Sequence, residues 1–123
     1  MSSDLNEEVI TVAENLTEKQ CVPCEGGVPP LESDEVEELL TEVRGWELLE
    51  GSPPKIQKEF KFDDFPEAMG FVNDLAELAE NEGHHPDIDI SYNVVTLQLY
   101  THAIDGLHEN DFILAAKIDD LVE

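Results

Sequence analysis

The chain has 123 residues, of which 41% are hydrophobic, and this is enough for one domain with a single core. Thirty acidic residues against six basic ones give a net charge of −24. So few cations argue against binding to nucleic acid or to an anionic membrane, because phosphates require a basic surface. We interpret the acidity as a solvating shell of the kind that halophilic cytoplasmic proteins carry, with a surface for one basic partner as the alternative.

Nothing in the sequence indicates transport to or across a membrane. No apolar run approaches the roughly 20 residues that span a bilayer. The N-terminus, Met1 to Asp4, lacks the basic start and apolar stretch of a signal peptide. We therefore expect a cytoplasmic protein.

The chain begins with an acidic arm, residues 1–32, ahead of a domain that we place at 33–123. Five apolar residues of the arm would line one face of a short helix, namely Leu5, Val9, Val12, Ala13 and Leu16. Cys21 and Cys24 follow in a segment rich in turn formers. Because the cytoplasm keeps thiols reduced, we expect free thiols or an optional local bridge, with zinc shared between subunits as the alternative.

Apolar periodicity predicts the order helix, two strands, helix, two strands, helix. The helices are predicted from Ser33 to Gly45, over 65–81 with Gly83 as a left-handed cap, and over 109–121. The strands are predicted over 46–49, 56–62, 87–91 and 94–101. The simplest packing is an α+β fold in which three helices cover one face of a four-stranded antiparallel sheet.

Three of the four histidines, His84, His85 and His102, fall within nineteen residues. Imidazole titrates near neutrality, so such a group indicates proton transfer or metal binding. Pro86 favours an extended backbone at His85, so the histidine pair lies where helix changes to strand. If the following hairpin turns between residues 91 and 94, paired positions sum to about 185. His84 then lies opposite a residue near 101, and the three imidazoles meet at one end of the sheet.

Each candidate residue also has a purely structural interpretation. His108 is interpreted as a surface or hydrogen-bonded structural histidine. Glu80, one helical turn before His84, either orients the site or is a solvated helix carboxylate. Tyr92 is either a turn residue or a site residue, and Asp111 either favours the first turn of the last helix or supports the site. A tri-histidine zinc site is the rival chemistry, although adjacent side chains on extended backbone diverge.

The ordered set of residues resembles the signature of the pterin-4a-carbinolamine dehydratases, known in animals also as dimerisation cofactors of a homeodomain transcription factor. Its members here are Glu80, His84-His85-Pro86, Tyr92, Thr101-His102, Gly106-Leu107 and Asp111. Leu114-Ala115 and Ile118-Asp119 fit the same family, and the resemblance covers residues 33–121. The segment from Cys21 to Gly27 resembles an extension seen in some microbial members.

The resemblance implies a hydro-lyase that dehydrates a 4a-hydroxytetrahydropterin to the quinonoid dihydropterin, as in tetrahydrobiopterin recycling, with no metal or organic cofactor. It implies His84 as base and both His85 and His102 as acids. It implies a substrate-binding or supporting role for five further residues: Glu80, Pro86, Tyr92, Thr101 and Asp111. It also implies a homodimer or homotetramer. A pterin-binding or partner-binding module without turnover is the alternative function.

The sequence departs from the family pattern at two positions of the domain. Many relatives have an aromatic residue where Ile88 stands, so a stacking contact with the pterin is expected to be missing. His108 stands where Ser or Thr is usual before the last helix, so we expect a weaker helix cap.

Overall fold

The computed structural model describes residues 16–19, 21 and 29–122. Within them the elements follow the predicted order and confirm the α+β class. They are α1 Ser33–Leu40, β1 Glu47–Leu49, β2 Lys55–Lys61, α2 Phe65–Glu82, β3 Asp87–Ser91, β4 Val94–Leu99, a 3-10 turn His102–Ile104 and α3 Glu109–Leu121. None of the helices in this described part is long and apolar enough to cross a membrane.

The four strands form one antiparallel sheet in the order β1-β2-β4-β3. In the β3–β4 hairpin, Asp87 pairs with Gln98 and Ser91 pairs with Val94. Paired positions therefore sum to 185, as the tight turn at Tyr92 and Asn93 predicts. This register sets the histidine pair before β3 against the chain that leaves β4.

The core lies between the helices and one face of the sheet. Side chains of β4 alternate, so that Val95, Leu97 and Leu99 are fully buried between half-buried neighbours. Helix α2 contributes a buried stripe of Ala68, Phe71, Leu75 and Ala79. Helix α3 is buried at every position from Asn110 to Ala116, so it is the central helix of the packing. Such a helix can hold a polar side chain out of water, and α3 does so with Asp111, which is fully buried.

Two predicted element ends are wrong. Helix α1 ends at Leu40 rather than at Gly45, because the Thr41 hydroxyl and backbone N–H both bond to the Glu38 carbonyl and close the last turn. Strand β4 ends at Leu99 rather than at residue 101. Thr101 pairs only with Gly106 in an isolated bridge, and the residues between them form the 3-10 turn.

The described part of the arm packs against the domain. Leu16 is fully buried in the core, and the backbone N–H of Cys21 donates to Glu82 Oε1 at 2.9 Å. The backbone N–H of Leu31 donates to the Leu107 carbonyl at 2.8 Å. Leu5, Val9, Val12, Ala13 and Cys24 lie outside the described residues. The division at residue 33 stays a prediction.

Candidate active site

The cleft at one end of the sheet brings together most of the predicted site residues. It has a volume of about 340 Å³, and its lining includes His84, His85, Pro86, Thr101 and His102. The cleft is built where four elements meet, namely the end of α2, the start of β3, the 3-10 turn and the start of α3. The predicted convergence of three imidazoles at this end of the sheet is therefore what the structure shows.

The end of α2 positions the histidine pair. Gly83 has φ of 68°, a left-handed conformation that costs glycine little, and its N–H bonds to the Ala79 carbonyl at 2.9 Å. The N–H of His84 bonds to the same carbonyl at 3.2 Å. These two bonds attach His84 to the helix end, and Pro86 then directs the chain into β3.

His84 is held by a buried carboxylate. Its Nε2 lies 2.6 Å from Asp111 Oδ1, and the Asp111 side chain is 0% exposed. The second oxygen, Oδ2, accepts from the Thr101 hydroxyl at 2.9 Å and from the His108 backbone N–H at 3.0 Å. Asp111 thus accepts three hydrogen bonds, one of them from His84 Nε2. The proton of the neutral His84 ring is therefore on Nε2, and Nδ1 is the nitrogen that a ligand can use.

His85 is held by an exposed carboxylate. Its Nε2 lies 2.6 Å from Glu80 Oε2, while the two side chains are 59% and 76% exposed. Glu80 therefore pairs with His85 and not with His84, the residue one helical turn away that the sequence pointed to. Pro86 lines the cleft beside this pair.

His102 has a hydroxyl rather than a carboxylate as partner. Its Nδ1 lies 2.9 Å from the Tyr100 hydroxyl oxygen, and the two ring centroids are 4.1 Å apart. Sequence reasoning missed Tyr100. The available signal was its nearness in sequence, since Tyr100 stands two residues before His102.

Tyr92 lies apart from these residues. It occupies the hairpin turn with φ of 54° and is 65% exposed. The cleft is at the other end of β3, roughly 15 Å away at the usual rise per strand residue. Within one chain the structure does not bring Tyr92 to the histidines.

His108 caps α3 and takes no part in the cleft lining. Its Nδ1 accepts from the Asn110 backbone N–H at 3.0 Å, which is the contact that a Ser or Thr oxygen makes at this position. Its own N–H donates to Asp111. We expected a weaker cap at this position, but the His108 imidazole makes the capping hydrogen bond that Ser or Thr would make.

A second ionised group lies behind the cleft. Glu82 accepts from the Lys117 ammonium at 2.6 Å and from the Cys21 N–H at 2.9 Å. Burial opposes ionisation of Glu82, but these two donors hold its pKa below the ordinary 4.5. Burial, reinforced by the Glu82 carboxylate, raises the pKa of the Cys21 thiol to about 12. Cys21 Sγ donates to the carbonyl of Asn110, which lines the cleft, at 3.6 Å.

The described residues contain no group of three or more His, Cys, Asp or Glu side chains arranged to hold a metal ion. The three histidines share the cleft, but each has one ring nitrogen bonded to a different partner. A zinc site would use the other ring nitrogens, and the described residues do not group them for a metal ion.

Comparison with known proteins identifies the family. A family model described as pterin 4 alpha carbinolamine dehydratase matches residues 29–121. The chain therefore belongs to this family, as the spacing of the site residues predicts.

Curated relatives from three bacteria, all provisionally named pterin-4-alpha-carbinolamine dehydratase, match nearly their whole length. The Methylococcus capsulatus protein is 50% identical, with 87% of this chain and 93% of the relative covered. The Rickettsia bellii protein is 48% identical, with 89% and 96% covered. The Halorhodospira halophila protein is 49% identical, with 87% and 97% covered.

Two solved structures share the fold. The crystal structure of a transcriptional coactivator/pterin dehydratase from Brucella melitensis has a TM-score of 0.72 and 35% identity, covering 76% of this chain and 99% of that one. A pterin dehydratase-like protein identified as a RuBisCO assembly factor in the alpha-carboxysome has a TM-score of 0.56 and 30% identity, covering 63% and 89%. Relatives of this fold therefore carry names for different roles.

Proposed function

We propose that this protein is a hydro-lyase that dehydrates a 4a-hydroxytetrahydropterin to the quinonoid dihydropterin, in tetrahydrobiopterin recycling. The supporting observation is that three imidazoles line one cleft, and that among the described residues each ring has a partner on only one of its nitrogens. Membership of the family supports the same activity.

The reaction needs one proton removed and one proton supplied. The N5–H bond of the pterin breaks, its electron pair forms the C4a=N5 double bond, and the C4a–O bond breaks. The departing hydroxide takes a proton and leaves as water. An imidazole side chain can both accept and donate a proton, so positioned histidines are suited to both transfers.

His84 is the best-placed base. Asp111 fixes the proton of the neutral ring on Nε2, so Nδ1 carries the lone pair, and the imidazolium that forms is stabilised by the buried carboxylate. His85 and His102 are the proposed acids. Glu80 accepts from His85 Nε2 at 2.6 Å. Pro86 supplies cleft wall, and Thr101 acts through Asp111.

The test is a dehydration assay on purified protein with a 4a-hydroxytetrahydropterin, with and without a chelator. We expect acceleration above the spontaneous rate that the chelator does not abolish. Replacing His84 or His102 with Ala is expected to lower turnover roughly 10²–10⁴-fold. His108→Ser is the matched control, since it removes an imidazole but keeps a cap oxygen, and it is expected to retain activity. Wild-type rates in both alanine variants, with folding intact, would contradict the assignment.

A module that binds without turnover is the second candidate, and the alpha-carboxysome neighbour favours it. That protein is described as an assembly factor although it is called pterin dehydratase-like. Saturable binding of a pterin, measured by calorimetry, with no dehydration above the spontaneous rate would select this alternative.

We infer a homodimer or homotetramer from the edge of the sheet. All five residues of β3 are exposed, and they include Ile88 and Ile90, with exposures of 41% and 38%. An unpaired edge strand with apolar side chains is a surface that symmetric pairing would cover. Light scattering at high salt is expected to give a mass of at least two chains, and a monomer at micromolar concentration would contradict this.

A further inference from the structure

His102 differs from the other two cleft histidines in the chemistry of its partner. His84 and His85 each bond to a carboxylate, and an ionised carboxylate can accept hydrogen bonds but cannot donate them. His102 bonds through Nδ1 to the Tyr100 hydroxyl, which can donate as well as accept. Among the three partners, the hydroxyl alone can place a proton toward a ring nitrogen.

The surroundings of Tyr100 favour donation by its hydroxyl. Lys55 Nζ lies 5.2 Å from the centroid of the tyrosine ring, and Lys55 is itself held by Gln98 Oε1 at 3.5 Å. When the O–H group donates a hydrogen bond, the phenol ring becomes richer in electrons, and a cation over the ring stabilises that state. The hydroxyl then donates to Nδ1, and in a neutral imidazole the ring proton must be on Nε2.

We propose that Tyr100 is a positioning residue that holds His102 as the Nε2–H tautomer, so that a neutral His102 presents an N–H donor to the cleft. This inference rests on the proposed dehydratase function, in which a proton must reach the departing hydroxide. The contact between the two rings, which are tilted by 37° with centroids 4.1 Å apart, restricts the orientation of the imidazole as well. The Asp111 carboxylate, in contrast, leaves Nδ1 of His84 as a hydrogen-bond acceptor.

The decisive measurement is the tautomer of His102, read from long-range proton–nitrogen correlations of the 15N-labelled imidazole rings. In the wild type we expect His102 with its proton on Nε2 and His84 with its proton also on Nε2, the latter bonded to Asp111. In Tyr100→Phe, which keeps the ring contact and removes only the hydroxyl, we expect His102 to become a mixture of tautomers. An Nδ1–H tautomer in the wild type, or an unchanged spectrum in the variant, would overturn the proposal.

Kinetics separate positioning from substrate binding. Loss of one hydrogen bond between neutral groups is expected to lower kcat about fivefold to tenfold in Tyr100→Phe, with KM within about twofold. Tyr100→Leu, which also removes the ring contact with His102, is expected to lower kcat further. Thr41→Val is the matched control, because it removes a hydroxyl that bonds only near the end of α1, and it is expected to keep the wild-type kcat. A change in KM with kcat unaltered would assign Tyr100 to substrate binding and overturn the proposal.

The two readouts keep this proposal distinct from the proposed function. The tautomer is measured without substrate, so a tautomer shift in Tyr100→Phe supports the positioning role even if the protein has no dehydratase activity. Dehydration with an Nδ1–H tautomer at His102 would support the function and reject the role of Tyr100.

Discussion

Two histidines of the same cleft each pair with a carboxylate at the same separation of 2.6 Å, yet the surroundings of the two pairs differ. In the His84–Asp111 pair the side chains are 12% and 0% exposed, while in the His85–Glu80 pair they are 59% and 76% exposed. The distance between two atoms therefore does not determine what a pair contributes. Burial and the other hydrogen bonds of the carboxylate do.

The buried His84–Asp111 pair is held in one arrangement by the protein itself, without a ligand. Asp111 is on a helix that is buried on all sides, and the Thr101 hydroxyl and His108 N–H hold its second oxygen. No water competes for the carboxylate, so it imposes one tautomer and one orientation on His84. Glu80 and His85 are surrounded by water, which screens their attraction and leaves both side chains free to move.

The largest effect is expected from Asp111→Asn. The amide group replaces one acceptor oxygen with a donor, which opposes either His84 or the Thr101 and His108 donors. Turnover is expected to fall roughly 100-fold or more, because the base loses its tautomer. The free energy of unfolding is expected to fall by about 3 kcal/mol, since a buried network is broken. Dehydration kinetics and urea unfolding measure the two quantities.

Glu80→Gln is the matched control for Asp111→Asn, because it makes the same chemical change in the exposed pair. It is expected to change turnover by less than about threefold and the free energy of unfolding by no more than about 1 kcal/mol. Equal losses in the two variants would show that burial does not distinguish the pairs.

The next largest effect is expected at Glu82, which pairs with Lys117 behind the cleft. The side chains of Glu82 and Lys117 are 11% and 15% exposed, respectively. A lowered pKa stabilises the fold above the ordinary value of 4.5, and that stabilisation is lost as pH falls below 4.5 through the folded-state pKa. Glu82→Gln is expected to cost roughly 2 kcal/mol at pH 7. Urea unfolding from pH 7 to pH 3 is expected to show the difference from wild type narrowing in acid. A gap that is independent of pH would contradict the ionised role of Glu82.

The smallest effect is expected from salt. A net charge of −24 destabilises the compact state at low ionic strength, and raising salt from about 0.01 M to about 1 M shortens the screening length from roughly 30 Å to roughly 3 Å. The melting temperature is expected to rise by roughly 5 °C. The exposed His85–Glu80 pair weakens under the same conditions while the buried pair is retained, so dehydration activity should survive molar NaCl. A flat or falling melting temperature would defeat the halophilic interpretation and favour a basic partner.

Elements with local signals could be predicted from the sequence. Gly83 after a periodic apolar stripe predicts the end of α2, and the turn at Tyr92 and Asn93 predicts the hairpin register, because side chains on strands alternate with period two. From that register alone, His84 and His102 are placed at one end of the sheet. The spacing of the same residues identified the family.

The hydrogen-bond partner of each histidine, in contrast, depends on the tertiary packing. Helix α3 packs as a central helix, and this burial changes Asp111 from an ordinary first-turn acid into the carboxylate that holds His84. Glu80 bonds to His85 because the chain turns at Gly83, and Tyr100 reaches His102 because β4 ends before it. Such pairings depend on which elements face each other across the core, and a one-dimensional pattern of residue types does not contain that information.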